Sequence, residues 1–254
     1  MTLLAVARRM SFRLVLLALT AGSGLCAAQS AQAADVVMPL AEPRPVVVRD
    51  AQRNDWTAVG RVNITGYRVY STCSGALIAP DLVLTAAHCV HLPRSGTPAK
   101  PEHLIFGAGW NRGQVADSAR GKALAIHPEY NASPGKRKIT AADVASDVAL
   151  IRLERPLRGI RPLPLSEERP ARLLTIAGYP TPKGEVLSLV ENCPRTGMPG
   201  LLSLRCEVRA GASGAPVLQK GPEGWSVAGT LSARTDGFAF AAPVDPSLVA
   251  ALAP

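Results

Sequence analysis

Leu84-Thr85-Ala86-Ala87-His88-Cys89 decides how this chain is read. A histidine followed by a cysteine, at the end of an apolar run, is a base held on a rigid support. Two later stretches complete it: Ser146-Asp147-Val148-Ala149-Leu150-Ile151 and Gly211-Ala212-Ser213-Gly214-Ala215-Pro216. Together they supply a base, an orienting carboxylate and a nucleophile in the chain order His, Asp, Ser. That order matches one of the known arrangements of such a triad and excludes two others.

The rest of the composition suits such a reading. The chain has 254 residues, enough for a substantial buried core, with 47% hydrophobic and 19% charged residues, a globular and not a disordered balance. Glycine and proline number 22 each, so turns are frequent and many short strands are expected in place of long helices. Formal charge is +9. Three of the arginines (Arg8, Arg9 and Arg13) lie in residues 1–33, which hold no acid, so the remainder carries +6. With no aromatic-basic interleaving and no nucleic-acid module, nucleic acid is not an expected partner.

Residues 1–33 read as an export signal: those arginines, an apolar core from Leu14 to Ala21, and small residues at Ala31-Gln32-Ala33. The run is too short for a permanent membrane span, so no stable membrane anchor is expected. Arg8-Arg9 is a weak match to twin-arginine export. Leu25 is too large for a lipoprotein site before Cys26, so Cys26 leaves with the signal. Four cysteines then remain: Cys73, Cys89, Cys193 and Cys206. In an exported chain they imply two disulfides. Three pairings are open, and Cys73–Cys89 with Cys193–Cys206 is the simplest because each closes a short loop.

Residues 34–53 are rich in Pro and Arg and read either as a surface arm or as a removable pro-segment. The ordered part is expected to begin at Trp56, with the catalytic domain over 54–254. Strand-like runs follow at 60–64, 67–70, 74–78, 82–85, 104–106, 122–126 and 147–153. Residues 128–142, with Lys136-Arg137-Lys138, read as an exposed loop, and Arg155 to Pro164 as a linker. The halves would thus cover about 56–155 and 165–254. In the second, strands are expected at 173–177, 186–190, 201–204, 216–219, 225–231 and 238–244, before a short helix over Pro246–Leu252 capped by Asp245. There is no internal repeat.

The three quoted stretches resemble the chymotrypsin-like (trypsin-like) serine proteases, over residues from about Trp56 onward. The bacterial glutamyl-endopeptidase side is the most similar, since Cys206-Glu207 precedes the serine motif at a like offset. The resemblance implies an all-β fold: two packed antiparallel six-stranded β-barrels, with the triad His88, Asp147 and Ser213 in the cleft between them. It implies a secreted or periplasmic monomer that hydrolyses polypeptides through an acyl-enzyme and uses no cofactor. Gly211 and Ser213 would give backbone N–H groups to the oxyanion. Ser232 aligns with a serine that supports the aspartate and borders the substrate edge. In the substrate pocket, Glu207, six before Ser213, would favour Arg or Lys, whereas Arg234 would fill the pocket or attract an acidic side chain.

Each of these residues has a plainer reading. His91, His103 and His127 are surface or satisfied core histidines. A metal cluster of His88, Cys89 and His91 loses to disulfide bonding, so no metal is expected. Asp143 rivals Asp147, but the apolar strand after Asp147 favours the latter. Ser213 could be a turn serine between glycines. A nucleophile elbow is rejected because every histidine lies upstream. Two residues depart from the family pattern. Ala215 replaces a glycine, and Ala212 stands where zymogen-forming members carry the aspartate that pairs with a newly cut N-terminus. Folding alone should therefore organise the oxyanion site. The rival functions are a catalytically weak protease-like binding protein and an esterase using the same triad.

Overall fold

The computed structural model describes residues 42–65, 71–132, 138–181 and 185–253. The expected strand at 67–70 and the expected signal at 1–33 lie outside them.

Six strands close the first barrel: β2 (Val59–Ile64), β3 (Ser71–Ala79), β4 (Leu82–Thr85), β5 (Leu104–Ala108), β6 (Asp117–Ile126) and β7 (Ala149–Leu153), in the order β2-β3-β4-β7-β6-β5. β4 and β7 are mostly apolar because both of their faces are largely buried; the exceptions are Thr85, which is bonded to Ser74 O, and Arg152, which pairs with Asp81. Val83, Ile151 and Leu153 fill the barrel with Phe106 and Leu77, while Leu82, Leu84 and Leu150 turn the other way. There they meet Tyr179, Leu218 and Val227 of the second half. Period-two alternation thus feeds two cores at once.

The second barrel comprises β8 (Leu173–Gly178), β9 (Ser188–Thr196), β10 (Leu202–Arg205), β11 (Pro216–Gly221), β12 (Gly224–Thr235) and β13 (Phe238–Pro243). The order β9-β10-β13-β12-β11-β8 closes through the β8–β9 pairing. Among the described residues every pairing between these strands is antiparallel, with one isolated parallel bridge of Leu165 to Val227, and the expected double-barrel fold is found. The closing helix, α2 (Pro246–Leu252), is also where it was expected. Asp245 caps it by accepting from Leu248 N at 2.8 Å.

Regular structure begins earlier than Trp56. β1 (Val46–Val47) pairs with β9, Val46 opposite Leu189. Val48 N donates to Leu187 O and Glu207 N to Pro43 O, both at 2.9 Å. A 3₁₀ turn over Asp50–Trp56 then buries Trp56 against Trp225, ring centres 5.5 Å apart. Residues 42–56 therefore pack as part of the second barrel. The other addition is α1 (Ala141–Ala145), at the end of the expected loop. Thr140 and Asp143 form a reciprocal capping box at its start.

Both local disulfides are present, Cys73–Cys89 and Cys193–Cys206. Replacing either pair by alanine should lower unfolding free energy by about 2–4 kcal/mol, read from a urea midpoint. Only loss of the Cys73–Cys89 bridge, beside His88, should also reduce turnover.

Candidate active site

His88 sits on a single 3₁₀ turn, Ala87–Val90, directly after β4. The next residue, Cys89, is tied to Cys73 on β3, so neighbouring strands fix the turn. Asp147 follows α1 and precedes β7. Its N–H closes the helix end on Val144 O at 3.2 Å, and its residue is 4% exposed.

Three donors converge on the Asp147 carboxylate. His88 N reaches Oδ1 at 2.8 Å, His88 Nδ1 reaches Oδ2 at 2.7 Å, and the Ser232 hydroxyl reaches Oδ2 at 2.6 Å. An ionised carboxylate only accepts, so Nδ1 carries the ring proton and Nε2 is left as the basic nitrogen. Nε2 contacts Cys89 Sγ at 3.6 Å; a bridged sulfur has no proton to give, so the base stays free. Burial pushes the His88 pKa down, but the hydrogen bond and charge of Asp147 outweigh it and the net shift is upward. Burial pushes Asp147 up, and His88 with the Ser232 hydroxyl more than reverses that. Asp143 instead caps α1.

Ser213 lies in the turn that enters β11, held from the first barrel. Its carbonyl accepts from Ser74 N at 2.8 Å. Gly214 has φ +76°, and a methyl there would run into Thr85 Oγ1, Ser74 O and Ala86 N. Glycine alone lets this turn approach β3 and the end of β4, which leads into the turn that carries His88. Gly214→Ala should cost about 2–3 kcal/mol and lower activity in parallel, measurable by thermal unfolding and peptide hydrolysis. Among the described residues no hydrogen bond joins the Ser213 hydroxyl to His88. Ser213 N and Gly211 N likewise have no acceptor among the described residues.

The structure divides the expected pocket residues. Glu207 and Arg234 line one cavity of about 470 Å³ with Thr181, Ala210, Glu42 and Asp236. Ser232 instead faces a cleft of about 240 Å³ with His88, Asp147 and Tyr130. Glu207 is already paired, with Arg44 at 3.3 Å and Arg209 at 3.4 Å, whereas Arg234 is in no ion pair among the described residues. The sulfurs of Cys73 and Cys89 lie near the His88 ring, but the disulfide consumes both, which leaves a single nitrogen and no metal donor set. His91 donates through Nδ1 to Ala87 O at 2.6 Å, a satisfied core histidine.

Sequence reading missed Ser74. It is fully buried, its hydroxyl donates to Gly211 O at 3.1 Å and accepts from Tyr179 N at 2.9 Å, and its carbonyl accepts from Thr85 Oγ1 at 2.8 Å. A serine beside Cys73 inside an apolar strand was the available signal.

Among curated proteins the chain is 31% identical to dog "chymotrypsin-like elastase family member 1" over 119 residues, 46% of this chain and 41% of that one. It is 33% identical to mouse granzyme E over 133 residues, 52% of this chain and 50% of that one. The chain thus spans half or less of the length of these relatives. Among solved structures, a Glu endopeptidase superposes with TM-score 0.63 at 19% identity, covering 83% of this chain and 95% of that one. The protease Anisep from Arthrobacter nicotinovorans gives 0.58 at 18%, covering 74% and 90%. The family model for trypsin matches residues 45–246, and the chain therefore belongs to the trypsin family of serine proteases.

Proposed function

We propose that this chain is an exported serine endopeptidase, a monomer that cleaves polypeptides through an acyl-enzyme. The observation that carries the reading is the carboxylate–imidazole pair, with Nδ1 of His88 bonded to Asp147 Oδ2 at 2.7 Å and Nε2 left basic. Ser213 Oγ attacks the scissile carbonyl and its proton passes to Nε2. The C–N bond then breaks as that proton moves to the leaving amine, and water repeats the sequence to release the acid. Asp147 holds the ring and stabilises the imidazolium. The N–H groups of Gly211 and Ser213 stabilise the oxyanion, each worth about 2.7–4 kcal/mol of barrier. Export is supported by the leader pattern of residues 1–33 and by the two disulfides. No helix among the described residues is long and apolar enough to cross a membrane.

The rival is a protease-like binding protein, and the observation that favours it is Ala212, which stands where zymogen-forming members carry an aspartate. Labelling by a fluorophosphonate decides between them. The endopeptidase should label at Ser213 and digest casein, and Ser213→Ala should do neither. Equal labelling of both proteins, or of neither, would overturn the reading.

A further inference from the structure

The turn that presents Gly211 and Ser213 lacks the usual carboxylate, because Ala212 fills that position and is buried. Something else must fix the direction of its amides. In a trans peptide the C=O of one residue and the N–H of the next point opposite ways, so the carbonyls decide where the amides face.

All four carbonyls from 210 to 213 are engaged. Ala210 O accepts from Thr181 N at 2.7 Å and from the Thr181 hydroxyl at 3.0 Å. Gly211 O accepts from the Ser74 hydroxyl at 3.1 Å. Ala212 O accepts from Ala215 N at 2.9 Å and Ser213 O from Ser74 N at 2.8 Å. With Ala210 O drawn to Thr181, the Gly211 N–H faces away from it, and no protein acceptor among the described residues takes it.

The Ala210–Gly211 peptide is the vulnerable one. It flanks a glycine with φ +87°, free to change conformation, and Ala210 is exposed. Turned over, the unit would aim a carbonyl oxygen at the developing oxyanion in place of a donor. Among the described residues, only Thr181 opposes that rotation through Ala210 O.

We infer that Thr181 is a positioning residue: its backbone N–H and hydroxyl clasp Ala210 O, so that the Gly211 amide faces the oxyanion without any N-terminal cut. Ser74 holds the next carbonyl in the same way. This inference rests on the protease reading above and supplies the means by which folding alone completes the site.

Three variants test it, on a peptide that the wild-type protein cleaves. Thr181→Pro deletes the N–H, Thr181→Val deletes only the hydroxyl, and Thr181→Ser keeps both. Thr181→Pro should lower kcat about 100-fold and Thr181→Val about 5-fold, with Thr181→Ser near wild type and KM within about 2-fold throughout, since small displacements of a catalytic group carry penalties of this order. Affinity for a peptide aldehyde, which forms a tetrahedral adduct, should fall with kcat. Affinity for the same peptide with its scissile carbonyl reduced to methylene should not change. Thr181 also lines the larger cavity, so equal weakening of both ligands would make it a pocket wall and overturn the inference. Wild-type kcat in Thr181→Pro and Thr181→Val would also overturn it. Should Thr181→Pro fail to fold, the Val and Ser pair decides alone. A wild-type protein that neither labels nor hydrolyses would sink the protease reading itself, a separate failure.

Discussion

Ser213→Ala should reduce kcat by about 10⁶-fold while leaving the fold intact. Nothing in the described structure leans on the Ser213 hydroxyl. The turn is held by main-chain bonds that alanine keeps, Ser74 N to Ser213 O and Gly214 N to Leu231 O, both at 2.8 Å. Removing one oxygen from a half-buried side chain with no bonded partner should therefore move stability by less than about 0.5 kcal/mol. The rate loss has a different origin. Without the hydroxyl, water must attack directly, and His88 has no proton to collect along the original path. What remains is oxyanion stabilisation and substrate binding, roughly 10³–10⁴ above the uncatalysed rate. A corollary separates a concerted triad from independent contributors: His88→Ala alone, Ser213→Ala alone and the double variant should be about equally slow. Steady-state hydrolysis and thermal unfolding on the same preparations check both halves. A loss under 10-fold would assign the nucleophile to another residue, and additive losses would mean that His88 does not serve Ser213.

Where a residue's role is written in neighbouring residues, the sequence shows it. β4 and β7 are legible because burial on both faces leaves mostly apolar positions, with Thr85 and Arg152 the exceptions, and the same apolar runs place His88 and Asp147 at strand ends. The helix over Pro246–Leu252 announces itself through Asp245 and the proline after it. β1 escapes because two valines in a Pro- and Arg-rich segment carry no period; only pairing with β9, over 140 residues away, makes them a strand. β9 is read short because Pro194 interrupts it, yet that proline falls in the closing stretch opposite Leu173. α1 is a single turn, too brief for periodicity. Ser74 and Thr181 escape for the same reason as β1. Ser74 works on partners 137 and 105 residues distant, and Thr181 on one 29 residues distant. Glu207 was legible as a charge near the serine, but its pairing with Arg44 follows from an arm whose packing no spacing reveals.

Asp147→Asn should lower kcat by about 10⁴-fold and change the pH profile in a defined direction. The carboxylate accepts from His88 N, from Nδ1 and from the Ser232 hydroxyl. An asparagine can keep its oxygen on the backbone N–H only by presenting its NH₂ to the ring. Nδ1 must then accept, the ring proton moves to Nε2, and the nitrogen facing Ser213 stops being a base. In the wild-type protein the hydrogen bond and charge of Asp147 lift His88 above the ordinary 6.5, so kcat/KM should rise with pH through a limb above that value. In Asp147→Asn those two influences vanish and burial, which lowers the histidine, acts unopposed, so the limb of the residual activity should fall below 6.5. Stability follows the same pair. The raised His88 contributes fully below 6.5, and that contribution fades as pH climbs through its folded value. The lowered Asp147 contributes above 3.8, and that contribution fades as pH drops through its folded value. The variant should consequently lose most stability, relative to wild type, between pH 3.8 and 6.5, where both charges are present. Profiles of kcat/KM and unfolding midpoints across pH 4–9 measure both. An acid limb that stays in place in the variant would mean that Asp147 does not set the protonation of His88.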